Sequence, residues 1–139
     1  MVTGKIRYQD SDMMLDWNDY RKQLAAGVKE IGQLSPDTIK GYMALSVAGQ
    51  KTDLLGAKVR ELIALAVAVT LRCDGCITVH TEAAIKRGAT REEIAEALGV
   101  ATTVNAGAAL VYSARVMDAF NEYPSAAPPR EPDSPHQSA

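Results

Sequence analysis

Leu62-Ile63-Ala64-Leu65-Ala66-Val67-Ala68-Val69 is the stretch that decides the fold. Ala57-Lys58-Val59-Arg60-Glu61 leads into it, and the whole reads as a helix that is apolar on nearly every face. A surface helix carries one apolar stripe and one polar face, so a helix like this one has to be surrounded by protein. A body of about 120 residues has few other helices to wrap it, and self-association is the simplest remedy.

Working outward, the apolar spacing from residue 11 to 123 stays helical, without the sustained alternation and β-branched enrichment of a strand. The body is therefore predicted to be all-α, a compact bundle of five to six helices. A first amphipathic helix is expected from Met13 to Ile31, on Leu15, Tyr20, Leu24, Val28 and Ile31, with Gly32 as its stop. Ser35-Pro36-Asp37 then offers a capping hydroxyl, a proline suited to a first turn and an acid near a positive helix end, opening a second helix to Val47. Gly49 to Gly56 reads as a connection to the apolar helix. Cys73 to Arg87 forms a fourth helical stretch closed by Gly88, where a left-handed cap is common. Thr90-Arg91-Glu92-Glu93 has the spacing of a capping box and starts a fifth helix near Arg91. That helix is weakest at Asn105-Ala106-Gly107, where a break before a final helix and a tolerated kink are both open.

Composition bounds the rest. The chain has 139 residues, 47% hydrophobic, with 15 basic against 17 acidic side chains, which fits one globular domain and lacks the basic excess a nucleic-acid face needs. The longest nearly unbroken apolar run, Leu62 to Leu71, is about half of what a bilayer-spanning helix requires. No membrane span is therefore expected. The first residues carry no apolar segment of the secretory kind, so the expected location is cytoplasmic. Pro124, Pro128, Pro129, Pro132 and Pro135 crowd the C-terminus, predicting a folded domain over 1–123 and a disordered tail over 124–139. The tail holds His136, which leaves His80 as the histidine of the body.

Two cysteines are too few for a disulfide scaffold, and three residues apart in a reducing compartment they point to redox or metal chemistry. Cys76 and His80 are four apart, so on one helix they share a face as a thiol and a base. Cys73 and Cys76 lie at the start of that helix, where unpaired N–H groups and the helix dipole favour a thiolate. The C-x-x-C spacing also lets one sulfur attack a disulfide or sulfenic acid formed at the other. Glu61 opens the apolar helix. It reads either as an acid placed for proton transfer or as a surface acid favoured by the helix dipole. Zinc needs four ligands, of which Cys73, Cys76 and His80 supply only three with Glu61 as a candidate fourth, so a zinc site is disfavoured, and two inert buried cysteines are the plain alternative. Lys58, Arg60, Tyr42, Tyr112 and Asn105 are assigned no site role, and Arg91, Glu92, Glu93 and Glu96 read as a solvated face.

The run Ala57 to Ala66, the segment Cys73-Asp74-Gly75-Cys76-Ile77-Thr78-Val79-His80 and the turn Gly88 to Ile94 together resemble the alkylhydroperoxidase D-like and carboxymuconolactone decarboxylase superfamily. A glutamate twelve residues before the C-x-x-C and a histidine four residues after it are similar to the pattern of the redox branch. The resemblance implies an all-helical fold assembled as trimers or hexamers, with the site near a subunit interface. It implies that Cys76 is the nucleophilic thiol and Cys73 the resolving one. His80 and Glu61, directly or through a water, would form the relay that deprotonates Cys76. The implied reaction is reduction of a hydroperoxide without a metal or bound cofactor, recycled by an external dithiol or a lipoyl-type protein reductant. Asp74-Gly75 departs from members that carry a second histidine inside the motif. That departure leaves general disulfide reduction or redox sensing open beside the peroxidase reading, together with the lactone decarboxylase for which the superfamily is named.

Overall fold

In a computed structural model the described residues, 13–123, form five helices and no strand. They are α1 (Trp17–Leu34), α2 (Pro36–Ala48), α3 (Gly56–Leu71), α4 (Asp74–Lys86) and α5 (Arg91–Glu122). The predicted tail over 124–139 lies outside the described residues.

Helix α1 starts later than the periodicity suggests because Asp16 caps it, its carboxylate accepting from the N–H groups of Asn18 at 3.1 Å and Asp19 at 2.9 Å. It also runs through Gly32. A Cβ at that position would stand 3.4 Å from Ile39 Cγ1, so the glycine sits at the approach of α1 to α2 rather than at a stop. The true stop is Ser35, which leaves the helical region at φ −141° and ψ 74° before Pro36, as the residue before a proline is pushed to do. Its hydroxyl makes no backbone cap and pairs instead with the Thr38 hydroxyl at 2.8 Å.

Two residues, Arg72 and Cys73, turn α3 into α4. Arg72 takes the left-handed conformation at φ 54°, its N–H directed to Val69 and the next N–H, from Cys73, bonding the Ala68 carbonyl at 3.0 Å. This is a Schellman-type ending, which glycine usually supplies. Arginine carries a Cβ penalty there, so Arg72→Gly is expected to raise stability by roughly 0.5–1 kcal/mol. A urea midpoint that falls instead would mean that the Arg72 side chain contributes more than its backbone costs. Gly88 closes α4 in the same way at φ 79°, with Ala89 N–H on the Ala84 carbonyl at 2.9 Å.

The α3–α4 pair carries most of the interior. Leu65 and Ala68 from α3 and Thr78 and Ala84 from α4 are buried, and the small alanines allow close helix approach. Helix α1 lies along α4: a Cβ on Gly75 would come within 3.1 Å of Leu24, and Arg21 pairs with Glu82 at 2.7 Å. Many apolar side chains of α3 remain outside, with Ile63 48% and Val67 50% exposed. The apolar helix thus lacks the full cover its sequence calls for.

The predicted capping box forms: Glu93 N–H donates to the Thr90 hydroxyl at 3.1 Å and Thr90 N–H to the Glu93 carboxylate at 2.9 Å. Glu93 also reaches Lys58 of α3 at 2.6 Å, a pairing made on the solvated face with both side chains still more than a third exposed. The bond from Lys58, then that from Thr90, holds the Glu93 carboxyl below its ordinary 4.5. A lowered folded-state pKa contributes stability above the unfolded value and loses it as pH falls through the folded one. The melting-temperature advantage of the wild type over Glu93→Gln is therefore expected at neutral pH and to shrink as pH falls below the ordinary carboxylate range, and a gap that persists unchanged into strong acid would refute it.

Helix α5 continues unbroken past Asn105-Ala106-Gly107. By compactness the chain divides into a unit ending at Thr103, which holds α1 to α4 and the start of α5, and a second unit from Val104. In the second unit Val104, Leu110, Val111, Val116, Met117 and Phe120 are all exposed. By length and composition α5 is long and apolar enough to cross a membrane, which the apolar-run estimate overlooked. Gly, Thr, Asn and Ser interrupt the run from Ala97 to Ala114, yet no side chain there is charged.

Candidate active site

The tight α3–α4 corner brings the four sequence-selected residues together as two pairs. Cys73 is the N-cap of α4, extended at φ −97° and ψ 93°, and its sulfur accepts the Cys76 N–H at 3.1 Å. Cys73 and Cys76 are joined as a disulfide with their Cα atoms 5.2 Å apart. Both residues are only half-buried, so neither sulfur is sealed into the core.

The second pair joins the two helices. Glu61, in the second turn of α3, meets His80 of α4, with Oε2 2.8 Å from Nδ1 and no intervening water needed. The two side chains are 21% and 34% exposed, so solvent reaches the pair while protein flanks it. A carboxylate only accepts, so Nδ1–H donates to Glu61 and Nε2 keeps a lone pair. Held in that tautomer, His80 is a base one helical turn beyond Cys76, on the same face of α4. The arrangement places two linked sulfurs and an imidazole on one helix, with a carboxylate from the neighbouring helix fixing the imidazole's orientation.

The donor atoms do not converge on a point. Among the described residues no three His, Cys, Asp or Glu side chains gather as a metal ion would require. Arg60, like Lys58, is drawn into an ion pair, 2.6 Å from Asp53. Sequence reasoning missed both links: Glu93 stands 35 residues from Lys58, and Asp53, seven residues before Arg60, lies outside the helix that would set a local spacing rule.

One concavity went unanticipated. A cavity of about 440 Å³ is lined by Trp17, Arg21, Ile77, Thr78, Thr81, Glu82 and Ile85, between α1 and α4. On the α4 helical wheel Thr78, Thr81, Glu82 and Ile85 point away from the face of Cys76 and His80, so this groove is separate from the cysteine pair. Arg21 and Lys86 close on Glu82 at its rim, and the hydrogen bond from Lys86 does most to hold the Glu82 carboxyl below its ordinary value.

Known proteins share this sequence and fold. The sequence profile described as the Carboxymuconolactone decarboxylase family matches residues 36–119, from the start of α2 deep into α5. An uncharacterized protein of Haemophilus influenzae is 44% identical over 109 residues, 78% of this chain and 96% of that protein. One of Cupriavidus necator is 33% identical over 91 residues, 66% of this chain and 80% of its own length. The crystal structure of an apo carboxymuconolactone decarboxylase family protein from Legionella pneumophila superposes with a TM-score of 0.61 at 35% identity, covering 76% of this chain and 95% of that one. With its all-helical architecture and a profile match over more than half its length, this chain belongs to the carboxymuconolactone decarboxylase family.

Proposed function

We propose that this protein is a thiol-dependent hydroperoxide reductase whose dithiol is Cys73 and Cys76 and whose proton relay is His80 with Glu61. The observation that carries the reading is the juxtaposition of a Cys73–Cys76 disulfide and a direct 2.8 Å His80–Glu61 pair on the same two-helix corner. A structural pair of cysteines would need no oriented base one turn away.

The chemistry balances with the residues present and one external reductant. His80 takes the Cys76 proton, and the thiolate attacks the terminal oxygen of R–O–O–H. The O–O bond breaks, the alkoxide leaves and takes a proton to become the alcohol, and Cys76 becomes a sulfenic acid. Cys73 then attacks the Cys76 sulfur and displaces hydroxide, which leaves as water, giving the disulfide. An external dithiol, free or carried as a lipoyl group on a partner protein, returns both sulfurs to thiols. The working form is a homo-oligomer, trimer or hexamer, in a reducing cytoplasmic setting. The exposed apolar side chains of α3 and of the second half of α5 support that assembly, since another copy is the simplest cover for them.

The test is a thiol count. Pre-reduced protein, freed of reductant and given about one equivalent of an organic hydroperoxide, is expected to lose both thiols with matching peroxide consumption. Thiols that persist would overturn the peroxidase reading and favour acid–base chemistry at His80 and Glu61 on a lactone, testable in the double Cys→Ser protein.

A further inference from the structure

The two sulfurs are held by different means. Cys76 lies at the third position of α4, where its N–H is one of the donors left without a helical acceptor. That donor is satisfied by Cys73 Sγ at 3.1 Å. Cys73 is thus a sulfur in the capping role usually filled by a serine or aspartate oxygen, with the positive end of the α4 dipole behind it. A charged sulfur accepts such a bond more strongly than a neutral one. Among the described residues no such backbone donor is found on the Cys76 sulfur, and Cys76 shares its face with His80, which is paired with Glu61 across on α3. The flanking charges of Arg72 and Asp74, both exposed, are of opposite sign and oppose each other at Cys73. The backbone donor therefore decides between the two sulfurs.

We infer that the electron donor enters at Cys76 and that Cys73 is the leaving sulfur, released as a thiolate onto the Cys76 N–H. This rests on the dithiol reading above and adds which sulfur the reductant attacks. A thiol–disulfide exchange proceeds faster through the more stable leaving thiolate. The donor thiolate bonds to Cys76 Sγ, the Cys73–Cys76 bond breaks, and its electron pair goes to Cys73. The donor's second thiolate then attacks its own sulfur in that mixed disulfide. Cys76 is displaced, regains its proton from the His80 side, and the donor departs as a disulfide. The same held thiolate serves in the forward direction, where Cys73 resolves the Cys76 sulfenic acid without waiting for a base. The C-x-x-C thus divides its labour: His80 manages the proton of Cys76, and the α4 backbone manages the charge of Cys73.

The oxidised full-length protein is to be treated with excess glutathione at neutral pH, quenched in acid, and alkylated with a maleimide. Fragmentation of the peptide from Cys73 to Lys86 then locates each label. Glutathione on Cys76 with the maleimide on Cys73 is the expected result. Glutathione on Cys73, or shared equally between the two, overturns the inference. A second measurement follows the alkylation rate against pH in the single-thiol variants. Cys76→Ser keeps the backbone N–H of position 76, so Cys73 in that variant is expected to ionise about one pH unit or more below Cys76 in Cys73→Ser. Equal or reversed midpoints count against it. Neither readout uses a peroxide, so a failed hydroperoxide assay with glutathione on Cys76 would sink the peroxidase reading alone.

Discussion

Replacing Cys76 by serine is expected to reduce hydroperoxide consumption to the uncatalysed rate, while Cys73→Ser keeps the first chemical step. The asymmetry follows from position. Cys76 shares a helix face with His80 four residues on, so its proton has an acceptor on the same face, whereas the serine hydroxyl left in its place ionises far above neutral pH and is a poor nucleophile toward a peroxide oxygen. Cys73 does not stand in for it, because its sulfur is turned back onto the Cys76 N–H as the α4 cap. In Cys73→Ser the serine is itself a good N-cap, so the helix start is preserved. That variant should consume one peroxide per chain and stop as a sulfenic acid, which a carbon nucleophile specific for sulfenic acids would trap on Cys76. The checks are peroxide loss by a dye assay and the mass of the trapped adduct. Wild-type consumption by Cys76→Ser, or an adduct found on Cys73, would exchange the roles of the two cysteines.

How far the sequence announced this site depends on the reach of each interaction. The Cys73, Cys76 and His80 constellation lies within one helix, so spacing alone put Cys76 and His80 on a common face and the two sulfurs within bonding reach. Gly88 and the Thr90–Glu93 box were equally legible, since a left-handed cap and a reciprocal capping pair are local devices. Glu61 is a different case. Its place beside His80 depends on the turn at Arg72 and Cys73, and a glutamate opening a helix is ambiguous until a family pattern or a structure fixes its partner. Gly32 misled because a glycine inside a helix costs only roughly 1 kcal/mol, which the contact of α1 with Ile39 of α2 can offset, so the helix runs through it. The Asn105-Ala106-Gly107 segment stays helical for a related reason: the alanines around it favour the helix, and each added ladder bond costs less than starting the helix anew. The Lys58–Glu93 and Arg60–Asp53 pairs had no sequence signature at all.

His80→Ala should slow loss of the thiols to hydroperoxide at pH 7 by about 10²-fold or more, the usual worth of a positioned general base. Glu61→Gln should cost less, about tenfold, because the amide oxygen can still accept from Nδ1–H and hold the tautomer, whereas the charge that stabilises the protonated ring is gone. Glu61→Ala removes both functions and should fall between these values and that of His80→Ala. The informative readout is the pH profile rather than the rate at one pH. Without its base, Cys76 depends on solvent to ionise, so the His80→Ala rate should climb with pH toward the ordinary thiol range near 8.5, and the gap to wild type should narrow there. A purely structural role for His80 would depress the rate by the same factor at every pH, with a matching loss of helicity or melting temperature. The two effects are also expected to be non-additive: with His80 already removed, Glu61→Gln should cost almost nothing further, since the imidazole it held at 2.8 Å is gone. Full additivity in that double-mutant cycle, or a gap that fails to close above pH 8.5, would mean that the His80–Glu61 pair braces α3 against α4 and takes no part in moving the proton of Cys76.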